Sequence, residues 1–114
     1  MGAVPVNNFT IYQGDTFGPR EYQWLINGVA PNITGFAVAS QIRIVEQSPN
    51  IIATFMSVVT DGANGKLSIS LTSAETSVLN IPSMHYDIQV SDPSNGKITT
   101  IVKGIITLER EVTR

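Results

Sequence analysis

Hydrophobic residues recur at every second position over most of this chain, the spacing of half-buried β-strands. Residues 8–12, NFTIY, set Phe9 and Ile11 on one face. EYQWLI (21–26) sets Tyr22, Trp24 and Ile26 against Glu21 and Gln23. In FAVASQIRIVE (36–46), Phe36, Val38, Ser40, Ile42 and Ile44 share one side, and the small Ser40 suits a close approach of two sheets. KLSISL (66–71) alternates cleanly, and MHYDIQV (84–90) points Met84, Tyr86, Ile88 and Val90 inward. The last strand, KITTIVKGIITLE (97–109), aligns Ile98, Thr100, Val102, Gly104, Ile106 and Leu108. A glycine in mid-strand at 104 predicts a bulge or a close backbone approach. One run breaks the rule: IIATFMSVV (51–59) is apolar on both faces, so it predicts a strand covered on both sides or one whose outer face meets a partner.

Turn signals punctuate these runs: QGDTFGPR (13–20), Asn27-Gly28, SPN (48–50), DGANG (61–65) and DPSNG (92–96). Between residues 71 and 84 the period changes. Thr72 with Glu75 three residues later has capping-box spacing, Val78 and Leu79 are expected to turn inward, and Pro82 ends the segment. This predicts a short helix at 73–79 that carries the chain from one sheet to the other. The whole pattern predicts an all-β fold: an immunoglobulin-like antiparallel β-sandwich of about seven strands, with a small closed barrel as the alternative. A single domain over 9–108 is expected, with an N-terminal arm (1–8) and a C-terminal tail (109–114).

Composition narrows the function. The chain has 114 residues, only 14% charged, with a net charge of −2. A surface so poor in charge is weakly repelled by copies of itself, which favours life in an assembly. The seven Lys and Arg are scattered, so no clustered cations await nucleic acid. There is no cysteine, hence no disulfide and no thiolate metal site. No apolar run reaches the roughly 18 residues of a bilayer span, and the first 15 residues do not read as a signal peptide.

Candidate chemistry is thin. His85 is the sole histidine, on an outward strand position beside Asp87, without a nucleophile in a recognisable motif. The loops 61–65 and 92–96 offer too few oxygens for calcium, and no glycine pattern matches a phosphate loop. Asn8-Phe9-Thr10 and Asn32-Ile33-Thr34 match the glycosylation sequon and, without a secretion signal, are read as coincidence. Trp24, flanked by apolar residues at i−2 and i+2, is expected as a core anchor. No catalytic, cofactor or metal residue is assigned.

Several phrases, taken in order, resemble a known family. They are YQGDTF before a Trp-bearing strand, INGVAPNITGFAVASQIR, DGANGKLSISLTSAETSVL, and HYDIQVSDPSNGKITTIVKGIITLEREVTR. This grammar is similar to small structural proteins of tailed bacteriophages, including those of cyanobacterial phages, and loosely to the immunoglobulin-like N-terminal module of phage baseplate upper proteins. Ile33-Thr34-Gly35 stands where the pattern has Leu-Thr-Gly, and Ile81-Pro82-Ser83 replaces a shorter turn. The resemblance implies a non-enzymatic virion protein present in many copies, partnered by other virion proteins and by itself, with neither nucleic acid nor membrane as partner. It implies a place in the tail, baseplate or fibre, with capsid decoration as the alternative. A carbohydrate- or receptor-binding module is the competing class. The expected assembly contacts are Val4 and Val6 in the arm, Ile51, Phe55 and Val59 in the double-faced strand, and Glu109, Arg110 and Arg114 in the tail. Strand addition at a sheet edge is the expected mode.

Overall fold

The computed structural model describes residues 5–45 and 50–110. Two sheets face each other. The larger has the order β1-β8-β7-β3-β4, and the smaller β2-β6-β5. The strands are β1 (Phe9–Tyr12), β2 (Phe17–Gln23), β3 (Ala37–Arg43), β4 (Ile51–Thr54), β5 (Met56–Asp61), β6 (Lys66–Leu71), β7 (Ser83–Ser91) and β8 (Ile98–Glu109). A 3-10 turn (Gly62–Asn64) joins β5 to β6, and a short helix, α1 (Ser73–Ser77), joins β6 to β7.

The core lies between the sheets and follows the period-two pattern. Leu67, Ile69 and Leu71 of the small sheet oppose Ile42, Met84, Tyr86, Ile88, Val90, Val102, Ile106 and Leu108 of the large one, all buried. Ser40 is buried as expected; its hydroxyl donates to the Asp87 carbonyl at 2.6 Å. Ile33 and Leu79, from outside the strands, close the two ends of the core.

α1 bridges the small sheet and the large one, as predicted for 73–79. Its capping box is complete: the Glu75 amide donates to Thr72 Oγ1, and the Thr72 amide donates to the Glu75 carboxylate. Leu79 turns inward, but Val78 is 76% exposed. The helix is locked by a residue the pattern did not flag. Thr76, fully buried, accepts from the Gly14 amide at 3.0 Å and donates to the Asp15 carbonyl at 2.8 Å.

Four expectations need correction. The run 51–59 is not one strand. β4 pairs with β3 in the large sheet and β5 with β6 in the small one, with Phe55 at the crossing. Among the described residues the count is therefore eight. Second, not all pairs are antiparallel: β1 runs parallel to β8, Phe9 beside Ile106 and Tyr12 beside Glu109. Third, β2 starts at Phe17, inside the stretch expected as a turn, and ends before Trp24. Trp24 is half-buried against the core, while Ile26 is exposed and pairs with Val29 across the Asn27-Gly28 turn. Fourth, a register shift between Ile88 and Gln89 buries Ile101 and turns Ile98 outward, so the inward face of β8 holds only from Val102 onward. A bulge inserts one residue and reverses the face of everything before it.

Of the expected arm (1–8) and tail (109–114), residues 5–8 and 109–110 are described. From Pro5 onward the chain lies along β8: the Asn7 amide donates to the Lys103 carbonyl and the Lys103 amide to the Pro5 carbonyl. The step from Val6–Lys103 to Phe9–Ile106 keeps one register. Glu109 is the last residue of β8, and the Arg110 guanidinium folds back on the Asn80 carbonyl at 2.9 Å.

Candidate functional site

The open edge of the sandwich is built from the double-faced run. β4 ends the order of the large sheet and β5 ends that of the small one. One continuous stretch of chain therefore borders both layers. The reason is local. At Phe55 the chain leaves β3, its amide donating to the Ser40 carbonyl at 2.9 Å, and the next residue pairs with β6. The Phe55 ring enters the core, 5.7 Å from Phe17 and 6.2 Å from Tyr86 between ring centres. A register shift opposite Ile42 and Arg43 leaves Ile52 and Ala53 both turned towards the core. Residues 51–59 are apolar on both faces because the strand serves two sheets in succession.

What remains outside is still apolar. Ile51 is 47% exposed, Met56 66% and Val58 49%. Ile44 and Val45, just past the end of β3, are exposed as well. On the outer face of the small sheet, Met56 and Val58 stand beside Ser70 and Ser68. The nearest carboxylate across that face, Glu21, accepts from Thr60 at 3.1 Å. From Asn50 to Thr60 the edge carries no charge, no proline and no glycine. Charge and proline are two of the devices that normally keep sheet edges from pairing. The devices this edge retains are short strands and a register shift in each pair, opposite Ile42 and Arg43 in β4 and between Val59 and Asp61 in β5.

The opposite side is closed. Asn7 Oδ1 accepts from the Arg20 guanidinium at 3.0 Å and from the Tyr22 hydroxyl at 2.9 Å. The Tyr86 hydroxyl donates to the Asn7 carbonyl at 2.5 Å. Arg20 also lies over the rings of Phe9 and Tyr22, and Phe9 stacks on Phe17 at 4.9 Å. Burial, aided by the Tyr22 hydroxyl, pushes the Tyr86 phenol well above the ordinary tyrosine range, so it stays a donor. Gly104 explains itself here: a Cβ would land on the Asn7 carbonyl, the close approach its position predicted.

The expected contact residues are not brought together. Val6 is 64% exposed at the β8 border of the large sheet, and Ile51 is exposed at the opposite border. Phe55 is a correction: it is interior and cannot offer its ring to a neighbour. Val59 is half-buried against the core rather than turned outward. Glu109 and Arg110 are exposed at the end of β8. Val4 and Arg114 lie outside the described residues. Met56 and Val58 are the exposed residues of the edge that the site assignment missed, and strict alternation from Phe55 would have found them.

The outer face of the large sheet carries a shallow groove of about 110 Å³, lined by Gln41, Arg43, His85, Tyr86, Asp87, Thr100 and Lys103. Small-molecule sites usually span about 300–1,000 Å³. His85 faces Ile105 and Arg43 across the strands. Among the described residues no group of three or more acidic or histidine side chains is placed to hold a metal, and every buried side-chain nitrogen or oxygen has a hydrogen-bond partner. Among the same residues no helix is long and apolar enough to cross a membrane.

No protein-family model matches the chain, and no curated protein matches it. Among solved structures it is similar to the NK cell receptor NKp44, described as a triggering partner in natural cytotoxicity. The TM-score is 0.52 at 13% identity, over 95% of this chain and 100% of that one. At that identity the likeness speaks to the fold. The two facing sheets form an immunoglobulin-like β-sandwich.

Proposed function

We propose that this chain is a non-enzymatic structural protein of a tailed-phage virion. It works by protein–protein contact within the tail, baseplate or fibre, alongside other virion proteins and copies of itself. The observation that carries the reading is the β4–β5 border, an uncharged edge of both sheets with Ile51, Met56 and Val58 exposed. Such an edge offers unpaired main-chain groups and apolar side chains together, which suits strand addition. The phage assignment rests on the ordered motifs, from YQGDTF to the closing EVTR. Capsid decoration would use the same edge in another place on the particle. The reading involves neither nucleic acid nor membrane.

A recognition module is the second reading, since one similar solved structure is a receptor. It calls for an exposed aromatic platform. Tyr12 is exposed, but Trp24 is half-buried and the other rings pack in or against the core.

Purified particles probed by electron microscopy with an antibody to this chain, together with light scattering of the isolated protein, test the proposal. Labelling at a tail or baseplate position is expected. A monomer that never labels particles, yet binds glycans through its rings, would favour the second reading.

A further inference from the structure

We infer that β5 pairs with β5 of a second copy, antiparallel about a two-fold axis at Val58, joining two three-stranded layers into one six-stranded sheet. The inference rests on the proposal that this edge is an assembly surface, and names its occupant.

An isologous pair sets each residue against a symmetry-related position in the same strand, so the strand must be complementary to itself. β5 meets that demand. With the axis at Val58, Val58 faces its own copy and Met56 faces Thr60 on the outer side, while Ser57 faces Val59 on the inner side. No charge meets a like charge. The single carboxylate of the strand, Asp61, falls opposite Phe55, beyond the pairing segment. The serines next to Met56 and Val58 on β6 add no charge to the joined face, and the Glu21 carboxylate of β2 reaches β5 only at Thr60, whose hydroxyl donates to it at 3.1 Å.

The other border does not offer this. The smaller sheet ends there in β2, where Gly18 and Pro19 interrupt the strand and the register shifts between Phe17 and Arg20. Proline has no amide to donate, so this edge cannot form an uninterrupted ladder. The larger sheet ends there in β1, and Tyr12 at its tip is covered on one side by the Asp15 amide, which donates to its carbonyl. β5 has a register shift too, but at its end, between Val59 and Asp61, which leaves Met56 to Val59 regular, whereas β2 has both a shift and a proline. This asymmetry predicts a dimer that stops at two.

The chain has no cysteine, so a single introduced thiol reports on one position. Residues facing each other in an antiparallel pair have Cα atoms about 4.5–5.5 Å apart, within disulfide reach. Val58→Cys under mild oxidant is expected to give a covalent dimer far faster than Val78→Cys, a control position 76% exposed at the end of α1 and outside β5. Val58→Lys sets two ammoniums face to face and is expected to raise the dimer dissociation constant by about tenfold or more. Its melting temperature should stay near wild type, because Val58 points outward. Equal crosslinking at 58 and 78, or a wild-type chain that sediments as a monomer at every concentration, would overturn the inference. A monomer that still labels virions overturns self-pairing alone, whereas a dimer absent from particles upholds self-pairing and overturns the virion proposal.

Discussion

Tyr86 shows how one side chain can tie three segments together. It follows the alternation of β7 into the core, yet its hydroxyl reaches the Asn7 carbonyl and meets Tyr22 at 3.2 Å. The phenol's ionisation is raised above its ordinary value of 10.0. A raised value means that this stabilisation is complete below pH about 10 and is lost as pH climbs beyond it, because only the unfolded chain then sheds the proton readily. Tyr86→Phe removes the donor and is expected to cost about 1–3 kcal/mol at neutral pH, since the buried carbonyl loses a partner. The variant should also lose stability less steeply between pH 9 and 11. Denaturant melts across that range check both parts; a wild-type alkaline slope in the variant would refute the second. That Tyr86 points inward was legible in MHYDIQV. Its polar partners were not, because they come from residues 7 and 22, brought close only by folding.

Single strands explain more of the disagreement between pattern and structure than single residues do. KLSISL and MHYDIQV turn their apolar residues inward as their alternation requires because each stays in one sheet, although Ser68 on the other face is buried as well. The runs 51–59 and 97–109 do not, since one changes sheets at Phe55 and the other carries a bulge near Ile101. Neither event leaves a mark in the period itself, although apolarity on both faces of 51–59 hinted at the first. The N-terminal strand is a third case. Residues 5–8 look like a free arm, but their main chain continues the parallel register of β1 on β8. Gly104 is the condition for that contact. Gly104→Ala is expected to cost about 1–3 kcal/mol, the usual range for overpacking, and to loosen this segment first. Amide exchange should rise at Asn7 and Lys103 before it rises in β7. Unchanged protection there would mean that the segment does not depend on the close approach.

Taken as a whole, the molecule has one closed side and one open side. The closed side is sealed by Arg20, four aromatic rings and the Asn7 network. The open side is the uncharged β4–β5 run. With few charges and a net of −2, association through that side is expected to be apolar and main-chain in character. Raising salt from about 0.05 M to about 0.5 M, which shortens the screening length severalfold, should leave self-association unchanged or strengthened. Sedimentation at both salt levels checks this, and a dimer that dissociates at high salt would point to ion pairs instead.

Alternation, turn chemistry and the capping box were enough to determine an all-β fold of short strands, the inward residues of the unbroken strands and a short helix after Leu71. These are local properties: each depends on neighbours within a few residues. Tertiary structure alone decided for two facing sheets over a closed barrel, which sheet each strand joins, that β1 runs parallel to β8, and that Phe55 lies inside while Met56 and Val58 lie at an open border. Those outcomes depend on contacts between residues dozens of positions apart, where one residue of register exchanges interior for surface.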